Sequence, residues 1–136
     1  MKRIYLAGPL FSTAETEFNA KLAQFLKENG YVVFLPQDEC KNKTGKEIFE
    51  TCANGIESSD MVLAVLDGAD ADSGTCWECG YSYAKGKPVI GLRTDFRNSG
   101  DTRGFNAMIY YSAASVIEGA DDYHQKVLEQ IKKITR

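Results

Sequence analysis

Apolar residues along this chain fall into two rhythms. Short strand-like runs occupy residues 3–7, 31–35, 61–66, 89–92 and 114–117, unbroken in apolar character at 31–35 and 61–66, and most intervals between them carry apolar residues every three or four positions. An unbroken run reads as a strand buried on both faces, and the wider spacing reads as a helix with one apolar stripe. Residues 13–29 carry Phe18, Leu22, Phe25 and Leu26 at helical spacing, and Gly30 closes that segment. Residues 44–58 put Ile48, Phe49, Cys52 and Ile56 on one helix face. A short helix is expected over 105–111. Residues 121–135 form a closing amphipathic helix with Tyr123, Val127, Leu128 and Ile131 inward.

Turn residues punctuate the same pattern. Gly8-Pro9 ends the first strand and Pro36 stops the second. Residues 37–43 read as a polar loop. Residues 94–103, rich in Asp, Arg, Asn, Ser and Gly, read as a flexible loop that can act as a lid. Strands that alternate with helices and are apolar throughout imply a parallel sheet covered on both faces. The expected fold is α/β: a flavodoxin-like, doubly wound, five-stranded parallel sheet with helices on both faces. No repeat or linker divides the chain, so residues 1–136 are expected to form a single domain.

Composition narrows the partners. Hydrophobic residues make up 43% and charged residues 26%, as in ordinary globular proteins. A net charge of −3 and a pI near 5.2 argue against a nucleic-acid polymer or an anionic membrane as the main partner. No apolar run approaches the about 20 residues that span a bilayer. Met1-Lys-Arg leads straight into the first strand with no signal-peptide pattern. A cytoplasmic protein is expected, with Cys40, Cys52, Cys76 and Cys79 as reduced thiols.

One stretch concentrates candidate chemistry: the acidic turn and helix that follow the third apolar run, ending D-S-G-T-C-W-E-C-G-Y at 72–81. Asp72 or Ser73 can cap the helix by accepting from its unpaired first-turn N–H groups. Glu78 then stands about one and a half turns inside it, near the carboxyl end of the preceding strand, the edge at which open α/β sheets bind ligands. A carboxylate there can serve as a base, a metal ligand or a nucleophile. Tyr5, in the first strand, is either a core aromatic or a hydroxyl partner for Glu78.

Other motifs are weaker. The loop at 7–12 lacks both G-x-G-x-x-G and the Walker pattern, so no dinucleotide or triphosphate cradle is supported. Its Gly8, Pro9 and Phe11 still stand at a strand's carboxyl end, as a pocket wall. Asp67, Asp70 and Asp72 lack the spacing of a calcium loop, and neither a metal nor a cofactor is expected. Cys76 and Cys79 form a C-x-x-C at a helix start, a redox position, yet packing as small apolar side chains explains them as well. Cys40 and Cys52 would have to converge on that pair to complete a zinc site. His124, the only histidine, is expected at the surface, which leaves little material for a Ser-His-Asp or Cys-His mechanism. Acid–base or nucleophilic work falls to carboxylates.

Taken together, I-Y-L-A-G-P-L-F at 4–11, the 72–81 motif, G-K-P at 86–88, R-T-D-F-R at 93–97 and F-N-A-M at 105–108 resemble the nucleoside 2-deoxyribosyltransferase family. The resemblance runs from Arg3 to about Ile117. It implies exchange of bases on 2′-deoxyribonucleosides through a covalent deoxyribosyl-enzyme, without a cofactor. Carried over by position, Glu78 is the nucleophile at C1′ and Tyr5 its hydrogen-bonding partner. Asp72, with Gly74 beside it, is expected to bind the 5′-hydroxyl. Asn106 from a neighbouring subunit completes that side in a homo-oligomer, and Met108 adds an apolar wall.

One position departs from the family pattern. Some members carry an Asp that handles the base's proton where this chain has Cys52, and a thiol titrating near about 8.5 is a poor replacement. Glu50, Asn54, Glu57 or water could substitute. Three alternatives to the transferase follow. One is a hydrolase of 2′-deoxynucleoside 5′-monophosphates, which Asp72 would disfavour by repelling phosphate and which Arg93, Arg97 or Arg103 could rescue. The others are a non-catalytic nucleotide-binding module and a dithiol redox protein.

Overall fold

The computed structural model describes residues 2–97, 102 and 104–136. Part of the anticipated 94–103 lid, including Arg103, lies outside the described residues. Five strands form the sheet: β1 (Arg3–Ala7), β2 (Val32–Phe34), β3 (Met61–Val65), β4 (Val89–Arg93) and β5 (Ser115–Glu118). Their order is β2-β1-β3-β4-β5 and every pairing is parallel. This is the flavodoxin-like arrangement, with its switch point between β1 and β3.

Among the described residues, six helices connect and close the sheet: α1 (Thr13–Glu28), α2 (Pro36–Glu39), α3 (Gly45–Glu57), α4 (Ser73–Ala84), α5 (Ala107–Ser112) and α6 (Tyr123–Ile134). The short α2 replaces part of the loop expected at 37–43. Pro36 stands at its first position, where proline's missing N–H costs nothing and its fixed φ suits a helix. Asp38 and Glu39 add negative charge to the first turn, which the helix dipole favours.

The unbroken apolar strands serve two cores, because successive side chains of a strand point to opposite faces. Ile4, Leu6, Leu63, Val65, Ile90 and Leu92 pack with Leu22 and Leu26 of α1 and Val127 and Ile131 of α6. Tyr5, Ala7, Val62, Ala64 and Val89 face the other way, against Ile56 of α3, Cys79 of α4 and Ile109 of α5. On that second face α3 comes close to the sheet at Gly55, where a Cβ would lie only 2.7–2.9 Å from the Phe34 ring. Phe34 in turn stacks on Tyr5 at 5.0 Å between ring centroids.

His124 is not the surface residue expected. It is partly buried, with its ring 4.4 Å from Phe25 of α1 and 4.3 Å from Tyr123. The apolar stripe of α6 is wide enough to draw the imidazole into the α1–α6 seam.

Candidate active site

At the carboxyl edge of the sheet, on the side of α3 and α4, lies a cavity of about 640 Å³. Four pieces of the sequence build most of its wall, beside Thr16 of α1. The turn after β1 supplies Gly8, Leu10 and Phe11, and α2 with its exit supplies Gln37, Cys40 and Lys41. From α3 come Ile48, Phe49 and Cys52, and the start of α4 contributes Asp72, Gly74, Trp77 and Glu78. Phe49 and Trp77 meet edge to face at 5.4 Å, and Trp77 stacks on Tyr81 at 4.9 Å. The wall is thus mostly apolar and aromatic, with two carboxylates entering from one helix start.

Asp72, rather than Ser73, caps α4. Its Oδ2 accepts from the Thr75 N–H at 3.0 Å and from the Thr75 hydroxyl at 3.1 Å. The cap sets where α4 begins, and so places Glu78 over the end of β1. There the hydroxyl of Tyr5 donates to the Glu78 carboxylate. Tyr5 is fully buried and does not itself line the cavity; it meets it through Glu78. Burial pushes the Glu78 carboxyl up from its ordinary 4.5 to about 7; the Tyr5 hydrogen bond pulls it down and the charge on Asp72 pushes it up. Burial first, and then the Glu78 charge, hold the Tyr5 phenol far above its usual range, so it remains a proton donor.

Cys52 packs against the core cluster that holds Tyr5. Its Sγ lies 3.6 Å from that of Cys40, so these two thiols converge on each other and not on the C-x-x-C. Cys79 is buried and Cys76 partly so; burial raises both thiols, Cys79 to about 12. With both thiols raised, neither member of this pair supplies a ready attacking thiolate. Among the described residues, no group of three or more His, Cys, Asp or Glu is arranged to hold a metal ion, and no helix is long and apolar enough to cross a membrane.

A family model described as Nucleoside 2-deoxyribosyltransferase matches residues 4–129. The chain belongs to that family. Among solved structures, a 2-deoxyribosyltransferase from Bacillus psychrosaccharolyticus is 28% identical, with 90% of each chain covered and a TM-score of 0.75. A conserved protein from Enterococcus faecalis V583 is also 28% identical, with 98% of each chain covered and a TM-score of 0.81. A Clostridium botulinum CMP N-glycosidase, at 23% identity, covers 93% of this chain and 98% of its own with a TM-score of 0.70, and shares the fold. No curated protein matches the sequence.

Of the positions the nucleoside 2-deoxyribosyltransferase pattern singles out, Glu78, Asp72, Gly74, Gly8 and Phe11 line the cavity, and Tyr5 touches it through Glu78. Pro9 does not line it. This residue faces a second cavity of about 270 Å³ on the α1 side, and its carbonyl accepts from Asn19 at 2.9 Å. Asn106 caps α5, accepting from the Met108 N–H at 2.9 Å, and both residues are exposed outside the cavity.

The side chains proposed to stand in at the Cys52 position are elsewhere. Glu57 accepts from the Tyr81 hydroxyl and pairs with Lys85 at 3.2 Å, Glu50 pairs with Lys46 at 3.8 Å, and Asn54 is exposed. Arg93 is committed as well. Buried beneath the sheet edge, its guanidinium donates to the carbonyls of Leu66, Gly68 and Arg97, and Arg97 pairs with Asp95.

The sequence reading missed Trp77, Phe49, Gln37 and Cys40. Trp77 adjoins Glu78 in the motif. Phe49 and Ile48 lie on the helix face assigned to the core, but they stop short of the sheet and end on the cavity.

Proposed function

We propose that the protein transfers 2-deoxyribose between nucleobases, with Glu78 as the nucleophile. The observation that carries this reading is the Tyr5–Glu78 hydrogen bond at the floor of a cavity walled by aromatic side chains. The Glu78 carboxylate attacks C1′ and forms a C–O ester bond. The C1′–N bond breaks, and the departing base keeps the electron pair and takes a proton. A second base then attacks C1′ from the opposite side and frees the carboxylate. Two displacements retain configuration, and splitting the reaction replaces one difficult step with two easier ones. Tyr5 orients the carboxylate and keeps its second oxygen hydrogen-bonded.

Phe11, Phe49 and Trp77 offer flat faces on which a base can lie. Of the described lining residues only Asp72 and Glu78 carry carboxylates, at the cap and in the second turn of α4, so the proton of the base is exchanged with water. Asp72 takes the 5′-hydroxyl. Its charge favours a nucleoside over a nucleotide, and Arg93 and Arg97 are engaged elsewhere. Lys41 is the one cation on the wall of this cavity among the described residues.

The exposed Met108 and Tyr111 on α5, with Asn106 at its cap, fit a homo-oligomer in which this segment reaches a neighbour's 5′ side. A place in cytoplasmic deoxynucleoside salvage accords with the reaction. The test is a chromatographic exchange assay: a deoxynucleoside with excess of a different free base, beside a tube of deoxynucleoside monophosphate. A new deoxynucleoside, formed only with the acceptor base, is the expected result. Free base released from the monophosphate alone would replace this reading with the hydrolase.

A further inference from the structure

We propose that Cys40 and Cys52 are a modification site, a dithiol that low-molecular-weight disulfides oxidise to an intramolecular disulfide, silencing the cavity. The two sulfurs stand 3.6 Å apart, across the gap between the end of α2 and the middle of α3. Both residues are half-buried and both line the cavity, so a small oxidant reaches them from its interior. A disulfide bond of about 2.05 Å needs the sulfurs to close by only about 1.5 Å. Cys40 follows a four-residue helix and precedes a turn, a piece of backbone that can yield by that much.

The steps balance. The Cys40 thiolate attacks one sulfur of the small disulfide, forming a mixed disulfide and expelling one small thiolate, which takes up a proton. Cys52 then loses its proton to solvent and attacks the Cys40 sulfur. The protein disulfide forms and the second small thiol departs. Two electrons pass from the protein's thiols to the small disulfide, which becomes two thiols. Burial pushes the Cys52 thiol up to about 12, which leaves Cys40 as the first attacker and Cys52 as the resolving group.

The consequence for the site follows from the contacts of Cys52. Cys52 lines the cavity from α3 and packs against the core cluster that holds Tyr5, whose hydroxyl donates to Glu78. Oxidation therefore draws the α3 wall toward α2, narrowing the cavity and shifting the packing around the group that orients the nucleophile. The cross-link stands independently of any reaction, whereas the silencing rests on the deoxyribosyl-transfer reading.

The full chain is equilibrated in glutathione buffers of graded oxidised-to-reduced ratio, then alkylated and mapped by mass spectrometry, with base exchange measured on the same samples. The expected result is one cross-linked peptide pair joining Cys40 to Cys52. Transfer should fall at least about ten-fold, as for a misplacement of about 1 Å around the reacting atoms, and return with dithiothreitol. Cys40→Ser and, independently, Cys52→Ala should each show the same turnover before and after oxidised glutathione, every variant being compared with its own reduced form. Separate alkylation of both thiols after oxidation, or a bridge between Cys76 and Cys79 instead, would overturn the site. A Cys40–Cys52 bridge that leaves transfer unchanged would overturn the silencing. If the reduced protein exchanges no base, the transferase reading fails, and the peptide map still decides the site.

Discussion

The hydroxyl of Tyr5 donates to the carboxylate of Glu78, a residue 73 positions further along the chain. It opposes the burial that pushes Glu78 up to about 7. A nucleophilic carboxylate must be ionised, so base exchange should fall below about pH 7 along a one-proton limb. Tyr5→Phe keeps the ring on Phe34 but removes the donor. The limb should then move to higher pH, and the rate at neutral pH should drop about ten-fold. Profiles of kcat/KM against pH for the two proteins check this; an unmoved limb would uncouple Tyr5 from the nucleophile.

The same shift bears on stability. The folded protein holds the Glu78 proton more tightly than the unfolded chain, because its folded value lies above the ordinary 4.5. That contribution is complete below 4.5 and is lost as the pH rises through about 7. Above this window, ionised Glu78 costs the fold about 3 kcal/mol. Glu78→Gln should therefore be inactive yet more stable than the parent by up to that amount at pH 8, with the gain vanishing near pH 4. Urea denaturation at both pH values measures it.

Asp72 caps α4, and on the proposed reading it also holds the 5′-hydroxyl; one substitution separates the two. Asparagine caps helices about as well as aspartate, so Asp72→Asn should leave stability within about 0.5 kcal/mol. Without the charge, nucleoside transfer should weaken about ten-fold, as for loss of a charge-assisted hydrogen bond. Cleavage of the 5′-monophosphate relative to the nucleoside should rise. Parallel assays on the two substrates give the ratio.

Gly55 holds α3 close to the sheet. Gly55→Ala would place a methyl 2.7–2.9 Å from the Phe34 ring, an overlap that costs about 1–3 kcal/mol. Displacing Phe34 also disturbs the ring stacked on it, so activity should fall with stability. The paired change Phe34→Leu should recover part of both losses, and a double-mutant cycle in urea reads the coupling.

How far the sequence speaks for the molecule depends on the range of the interaction. The strands, the helices on both faces and Glu78 at the sheet edge were legible, because binary pattern and capping are local. Even the place of Tyr5 on the cavity side follows from strand alternation once its neighbours are known. The convergence of Cys40 and Cys52 was not legible: it depends on α2, a single turn whose proline reads equally well as a stop. Nor was the division of Gly8 from its neighbour Pro9, since adjacent turn residues part to opposite cavities through backbone geometry alone. The partly buried His124 was missed because a lone polar side chain in a helix gives no sign of the ring waiting in another.

β1 is hydrogen-bonded along both edges, to β2 and to β3. Strands held in this way usually release their amide protons only when the whole molecule unfolds, whereas a four-residue helix such as α2 opens locally and often. In deuterated solvent, the backbone beneath Tyr5 should be among the last to exchange and the segment around Cys40 among the first. The cavity thus has one fixed jaw and one loose one, and on the proposed reading bases of different size would be taken up by the loose jaw while the reacting atoms keep their place.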